Sequence, residues 1–156
     1  MDITHGIQTT LTAMLPFGEL RLSIPLAIYQ YDLPWYQAFG WSVLGNTLIV
    51  PFLLFGLSFS ERILTKLPGP FQKLFQWRVA RLRVTQSRRF QKYGALALVT
   101  LVAIPLPLTG AWSGSLATWL FQIPAYRAIP LIILGVLIAG VIVTSATVVG
   151  GSIVSN

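Results

Sequence analysis

The sequence predicts an all-α integral membrane protein, built as an inverted repeat of a re-entrant helical hairpin plus one transmembrane helix, with a basic amphipathic cytoplasmic linker between the copies. Three observations carry this reading. The 156 residues are 54% hydrophobic and only 10% charged, with a mean hydropathy of +0.72, whereas a soluble domain carries about 25% charged residues. Two charge-free stretches, Ala38–Phe59 and Ala128–Val149, are each long enough to cross about 30 Å of hydrocarbon as a helix. The chain also matches itself when shifted by 90 residues. A soluble, all-buried core is set aside, because so short a chain must cover much of its surface with polar groups.

The first element, Ile3–Gln30, is apolar but interrupted by LPFGELR, which puts Glu19 and Arg21 near its centre. The corresponding later element, Tyr93–Tyr126, is 34 uncharged residues interrupted by PLPLTG. Two full spans and a turn need about 40 residues or more, so the run is too long for one crossing and too short for two. Arms of about 11–13 residues are roughly 17–20 Å of helix, a little over half a bilayer. A hairpin that enters and returns to the same side solves this geometry. Pro105 and Pro107 lack amide hydrogens and stop the first arm. Gly110 permits the turn, and Pro16 and Gly18 play these parts in the first region. Pro25 and Gly114 are counted with them as hairpin-tip residues. Broken backbone at such a tip cannot face lipid and must be buried in protein or line a wet cavity.

At the shift of 90, residues 10–45 give 11 identities over 36 ungapped positions, including the pattern P-x-Y-x-A-x-x-x-x-x-L-G at Pro34–Gly45 and Pro124–Gly135. The chain, 1–156, then reads as one membrane domain: repeat 1 over 3–59, a linker over 60–92 and repeat 2 over 93–149. A hairpin keeps its side and a span changes it, so the second copy enters from the opposite face. This inverted arrangement is common in secondary transporters, whose sites lie at midplane between discontinuous helices.

The linker 60–92 holds nine Lys and Arg, among them Arg78, Arg81, Arg83, Arg88 and Arg89, against Glu61 alone. Flanked by apolar runs, it reads as a cytoplasmic loop under the positive-inside rule rather than as a nucleic-acid surface. Both termini and the turn carrying Asp32 then lie outside, in a plasma (inner) membrane. Phe71, Phe75, Val79 and Leu82 recur at helical spacing, which describes an interfacial helix lying on anionic inner-leaflet lipids.

Glu19 is the sharpest candidate. A carboxyl at membrane depth costs about 2.5–3.5 kcal/mol on insertion scales and is usually paired or functional. A proton carrier or substrate contact is weighed against a structural role. Direct pairing with Arg21 is not favoured on a regular helix, where positions two apart point about 200° away from each other. Arg21 offers phosphate-shaped donors or snorkels to the interface. Thr109, Ser113 and Ser115 bring hydroxyls to the second tip, or bond local backbone. Asn46 is either interhelical glue or a cavity-lining group. The chain has no cysteine and one histidine, His5. Disulfides, thiolate metal sites and His-based triads are excluded, and no phosphate loop or nucleophile–base set appears. The expectation is no enzyme, no metal and no cofactor.

GELRLSIPLAI at 18–28 and AIPLPLTGAWSGS at 103–115 resemble the signatures of the small multidrug export protein family, whose usual forms run close to E-L-R-x-x-I-P and P-L-P-G-T-G-A-W-T-G. Leu108 stands where the family usually has Gly, and Ser113 where it has Thr. That family is distantly similar to the DedA (SNARE-associated, VTT) membrane proteins, which the resemblance describes as two opposed re-entrant hairpins moving lipids such as undecaprenyl phosphate, or supporting proton-dependent drug resistance. Their pattern puts an acid in the first hairpin, matched by Glu19, and an arginine in the second, which residues 104–120 lack. The resemblance implies a small secondary transporter that moves an amphipathic molecule, with proton coupling through Glu19 as one form of it; the small size of the chain, two spans with little surface to shield two polar tips, points to a homodimer. A lipid translocase and a non-transporting scaffold are the alternatives.

Overall fold

The computed structural model describes residues 3–64, 94–105, 109–121 and 123–154. The expected linker begins as helix, since residues 60–64 continue α3; the rest of it, with Arg78, Arg81, Arg83, Arg88 and Arg89, the tip residue Pro107, and Leu108 lie outside the described residues. All regular structure among the described residues is helical: α1 (Ile3–Met14), α2 (Glu19–Tyr29), α3 (Trp35–Leu64), α4 (Gly94–Ala103 in its described part), α5 (Ala111–Leu120) and α6 (Ala125–Val154). The order short, short, long of α1–α3 is matched in α5 and α6 by a short and a long helix, preceded by the described part of α4.

The short helices are 12, 11 and 10 residues for α1, α2 and α5, or about 15–18 Å at 1.5 Å per residue. Each long helix has 30 residues, about 45 Å, which exceeds the hydrocarbon thickness and reaches into the interface or tilts. Both long helices start directly after a proline. The Pro34 carbonyl accepts from Gln37 and Ala38, and the Pro124 carbonyl from Arg127 and Ala128. The alanine three residues into each helix is fully buried, which gives the repeated P-x-Y-x-A pattern a physical reason. Pro51 and Pro130 lie inside these helices.

Chain direction follows from contacts. His5, at the start of α1, stacks on Tyr31, just past α2, with ring centroids 4.9 Å apart. The first pair of short helices thus leaves from and returns to one end of the molecule. Tyr29 donates its hydroxyl to the Thr147 carbonyl (2.6 Å), so the last turns of α6 lie at that end too. Gly140 packs on Phe39 and Val43, while Asn46 shares a cavity wall with Val136 and Ala139. Residue numbers rise along α3 as they fall along α6, so the long helices are antiparallel.

Close approach is built from small residues. A Cβ at Gly6 would meet the Trp41 ring at 2.5 Å, and one at Gly45 would overlap the Thr10 carbonyl, so α1 lies tightly on α3. Gly135 brings α6 equally close to Val102 and the Val99 carbonyl of α4. Gly114 seats α5 against Val102 at 2.6 Å. Helix packing without a hydrophobic drive between helices depends on such contacts. Three of the four threonines of α1 bond their hydroxyls to carbonyls one turn back: Thr9 to His5 (2.8 Å), Thr10 to Gly6 (3.0 Å) and Thr12 to Gln8 (2.9 Å).

Burial recurs along the chain. In the long helices, Ala38, Ser42, Gly45, Asn46, Val50 and Leu54 are buried, and so are the residues 90 positions on, Ala128, Ile132, Gly135, Val136, Gly140 and Thr144. In α2 and α5 the matching spacing is 91: Glu19, Leu20, Ser23, Ile24 and Ala27 against Gly110, Ala111, Gly114, Ser115 and Thr118. Thr9 and Ala13 of α1 match Leu98 and Val102 of α4 at 89. The core joins Ile24, Val50, Leu98, Val102 and Ile132. Outside it, many large apolar residues are exposed among the described residues, Phe17, Phe52, Phe55 and Ile153 among them. Only 28% and 39% of the most apolar windows of α3 and α6 are buried within the chain. A soluble core helix of that hydropathy hides most of its surface, whereas one facing lipid does not.

Candidate functional site

Two helix breaks meet at one point. The first spans Leu15–Gly18, between α1 and α2, and holds Pro16 and Gly18; the second follows α4, holds Pro105 and ends on Gly110 before α5. Pro25 and Gly114, which the sequence groups with the tips, instead stand inside α2 and α5. Pro25 forgoes one internal helix bond, to the Arg21 carbonyl, and Gly114 serves the packing on Val102.

Glu19 opens α2 with φ of +44°, a left-handed backbone that a side-chain-bearing residue adopts at a cost of order 1–2 kcal/mol. That single residue changes where its side chain points. The regular-helix argument against a Glu19–Arg21 pair fails here for that reason, and the two charges come to 4.0 Å. The Glu19 residue is 4% exposed. One carboxylate oxygen accepts the backbone N–H of Trp112 in the first turn of α5 (3.4 Å), where the positive end of the helix dipole favours an anion. The carboxylate occupies the space of a side chain at Gly110: a Cβ there would overlap Oε2 and lie 2.5 Å from Cδ. Glu19 and Gly110 correspond at the 91 spacing.

Arg21 turns toward the second break. Its Nη2 donates to the Thr109 carbonyl, to the Thr109 hydroxyl (3.0 Å) and to the Ile104 carbonyl (3.3 Å). It thereby satisfies acceptors left open where α4 ends. The Thr109 hydroxyl in turn donates to the Ile104 carbonyl (2.7 Å). Ser113 caps its own helix, accepting the Gly110 N–H at 2.8 Å, and Ser115 bonds back to the Ala111 carbonyl (2.7 Å). Of the three hydroxyls, only that of Thr109 also faces the first break.

Asn46, 1% exposed on α3, reaches the first break from behind. With its amide turned so that both ends are satisfied, it donates to the Ala13 carbonyl (2.9 Å) and accepts the Leu20 N–H (3.2 Å). It therefore bridges the last turn of α1 and the first of α2. Ser23 and Ser42 add a buried hydroxyl pair at 2.8 Å. The residue missing from the sequence-level set is Trp112, whose indole N–H donates to the Met14 carbonyl at the end of α1 (3.1 Å). It stands in the quoted AWSGS motif, but the ungapped shift of 90 pairs it with Leu22. Only the folded register of 91 sets it opposite Arg21.

Glu19, Arg21, Asn46 and Gly110 line a small cavity with Leu20, Val102, Val136 and Ala139, and its volume is about 10 Å³. A single water needs about that much, and a drug-sized ligand needs about 300–1,000 Å³. No cluster of His, Cys, Asp and Glu able to hold a metal occurs among the described residues.

The fold and site thus define a small helical protein in which two broken helical pairs meet over a single carboxylate, beside two helices long and apolar enough to cross a membrane. The chain belongs to the family described as "Putative small multi-drug export protein", whose model matches residues 19–142, more than three-quarters of the sequence. With its two apolar helices, it is a membrane protein of an export family. No curated protein and no solved structure matches the chain.

Proposed function

We propose that the chain is a proton-coupled secondary transporter that moves an amphipathic molecule between two re-entrant hairpins dipping from opposite leaflets. The short helices support this, since each spans about half of a bilayer. The stacking of His5 on Tyr31 supports a hairpin that returns to its own side. The antiparallel long helices and the recurring burial support an inverted repeat, and the excess of Lys and Arg in 60–92 supports a cytoplasmic side for that linker. One end of the molecule then carries His5, the Asp32 turn and the end of α6 outside.

The single observation that carries the reading is the Glu19 carboxylate, buried at the contact of both breaks beside a cavity the size of one water. Broken backbone at membrane depth is tolerated only where protein or a water path satisfies it, and an intramembrane acid is the usual proton carrier. The cavity admits a proton on water but not an amphipathic molecule, so Glu19 serves the coupling ion, and substrate enters only when a hairpin opens.

The test is flux in proteoliposomes under an imposed pH gradient, with ethidium and a short-chain fluorescent phospholipid as probes. Wild type moves one of them faster with the gradient than without, and Glu19→Gln loses that gradient-driven flux while remaining folded. Gradient-driven flux that survives in Glu19→Gln refutes the role. Movement of the phospholipid probe at equal rates with and without the gradient replaces this reading by a lipid translocase.

A further inference from the structure

The cavity at Glu19 holds no more than a water, but the two long helices enclose a larger space. They touch where Gly140 of α6 packs on Phe39 and Val43 of α3. Beside that contact, at the end of the molecule that carries His5 and Tyr31, lies a groove of about 440 Å³. Trp35 and Phe39 form one wall, and Val141, Thr144, Val148 and Val149 the other. The volume falls within the range of about 300–1,000 Å³ that takes a whole small molecule. Trp35, Val141 and Val149 are each more than half exposed, so the groove is open on the side that faces lipid. Every residue described along it is uncharged.

One group in this apolar lining is out of place. Thr144 is 7% exposed, and its hydroxyl has no hydrogen-bond partner. Thr9, Thr10, Thr12, Thr100, Thr118 and Thr147 all bond the carbonyl four residues back. Thr144 forgoes the equivalent bond to the Gly140 carbonyl. A buried hydroxyl left unpaired is costly, and an apolar side chain of the same shape is better tolerated there.

We propose that this groove binds an uncharged amphiphile from the bilayer, with its apolar body between the aromatic wall and the valines of α6 and a hydroxyl or carbonyl on Thr144. A bare hydrocarbon chain leaves the Thr144 hydroxyl unpaired, and a charged group meets no counter-charge along the lining. The site deepens the transporter reading above, and rests on it in one respect: it is then the docking place of the substrate at the outer end. The same stretch of α6 holds the end of α2, through the Tyr29 hydroxyl on the Thr147 carbonyl (2.6 Å) and the packing of Gly151 on the Tyr29 ring. A molecule seated at Thr144 is thus one helix away from the first hairpin.

Photolabelling in proteoliposomes tests this with two probes, a 1-decanol carrying a diazirine in mid-chain and the matching decane without the hydroxyl. Labelled residues are mapped by mass spectrometry. Labelling within 141–149 is divided by that of Phe52 and Phe55, which are exposed on α3 and report partition into the bilayer. In wild type the alcohol is expected to give a ratio roughly fivefold above that of the alkane, the preference that one hydrogen bond supplies. Thr144→Val keeps the shape and removes the hydroxyl. It is expected to bring the alcohol down to the alkane without lowering Tm, since no bond within the chain is lost, and Thr144→Ser is expected to keep the preference. Three results each overturn the proposal: equal ratios for both probes in wild type, an alcohol preference that survives Thr144→Val, or no label within 141–149 while Phe52 and Phe55 are labelled, as when a second copy covers the groove. No gradient is imposed and no flux is read, so failure here leaves the Glu19→Gln experiment standing, and the reverse.

Discussion

Gly110→Ala is the smallest substitution that reaches the centre of this molecule. The new methyl would overlap Glu19 Oε2 and sit 2.5 Å from Cδ and 2.8 Å from Oε1, where carbon and oxygen need more than 3 Å. The carboxylate must therefore turn away, giving up the Trp112 N–H and the 4.0 Å approach to Arg21. A hydrogen bond to a charged group contributes about 1.5–3 kcal/mol, and a buried group left unpaired adds to the loss. The expected destabilisation is about 2–4 kcal/mol. For a chain of this size that corresponds to a fall in Tm of roughly 4–16 °C, read by fluorescence-detected thermal unfolding of purified protein. Glu19→Ala removes the clashing group and leaves room for the methyl. The double variant should then lose less than the sum of the two single losses, by at least about 1 kcal/mol. Additivity within about 0.5 kcal/mol refutes the claim that the two positions share one space.

Asn46→Val leaves the Ala13 carbonyl and the Leu20 N–H buried without partners, a loss of about 2–4 kcal/mol that thermal unfolding reads as a Tm decrease. Ser23→Ala orphans the Ser42 hydroxyl in a buried pair and should cost about 1–3 kcal/mol, while the double change to alanine should be milder than the single one. Gly45→Leu places a side chain against the Thr10 carbonyl, so α1 must lift off α3; protease cleavage within residues 3–14 should rise well above that of wild type.

Composition made the helical membrane class legible, and the charge-free runs located both long helices to within a few residues. They start at 35 and 125 rather than 38 and 128, because Pro34 and Pro124 are already usable as first acceptors and the aromatic residues after them are helical. The breaks were legible as well, since Pro16 beside Gly18, and Pro105 at the end of an apolar arm, each remove a helix hydrogen bond where the chain is free to turn. Pro25 misled in the same way: the sequence marks a proline but not whether the helix around it is held by neighbours, and α2 is held by both α3 and α6. Contacts between the breaks were not legible. The unequal lengths of the two breaks shift α2 against α5 by one residue from the overall register of 90. An ungapped self-comparison therefore sets Glu19 against Thr109 and Arg21 against Ala111, and conceals the pairs Glu19–Gly110 and Arg21–Trp112. Asn46 was visible as a polar group in a span, but its partners are backbone atoms, which carry no sequence signal.

The register explains why only one side of this contact carries an acid. Where equivalent backbone segments touch across a pseudo-symmetric contact, a side chain on one side takes the volume of its counterpart on the other. Two carboxylates would repel at that distance, and even a methyl opposite Glu19 has no room. One copy must therefore be glycine. The same reasoning extends to the donors. Arg21 lies beside the only carboxylate at the site and balances its charge, whereas a second arginine at 112 would add a positive charge that no second carboxylate balances. A neutral donor, the indole N–H of Trp112, serves the Met14 carbonyl instead. The asymmetry is then a consequence of the contact: one carboxylate forces a glycine opposite, one counter-charge beside it, and an uncharged residue in the matching place.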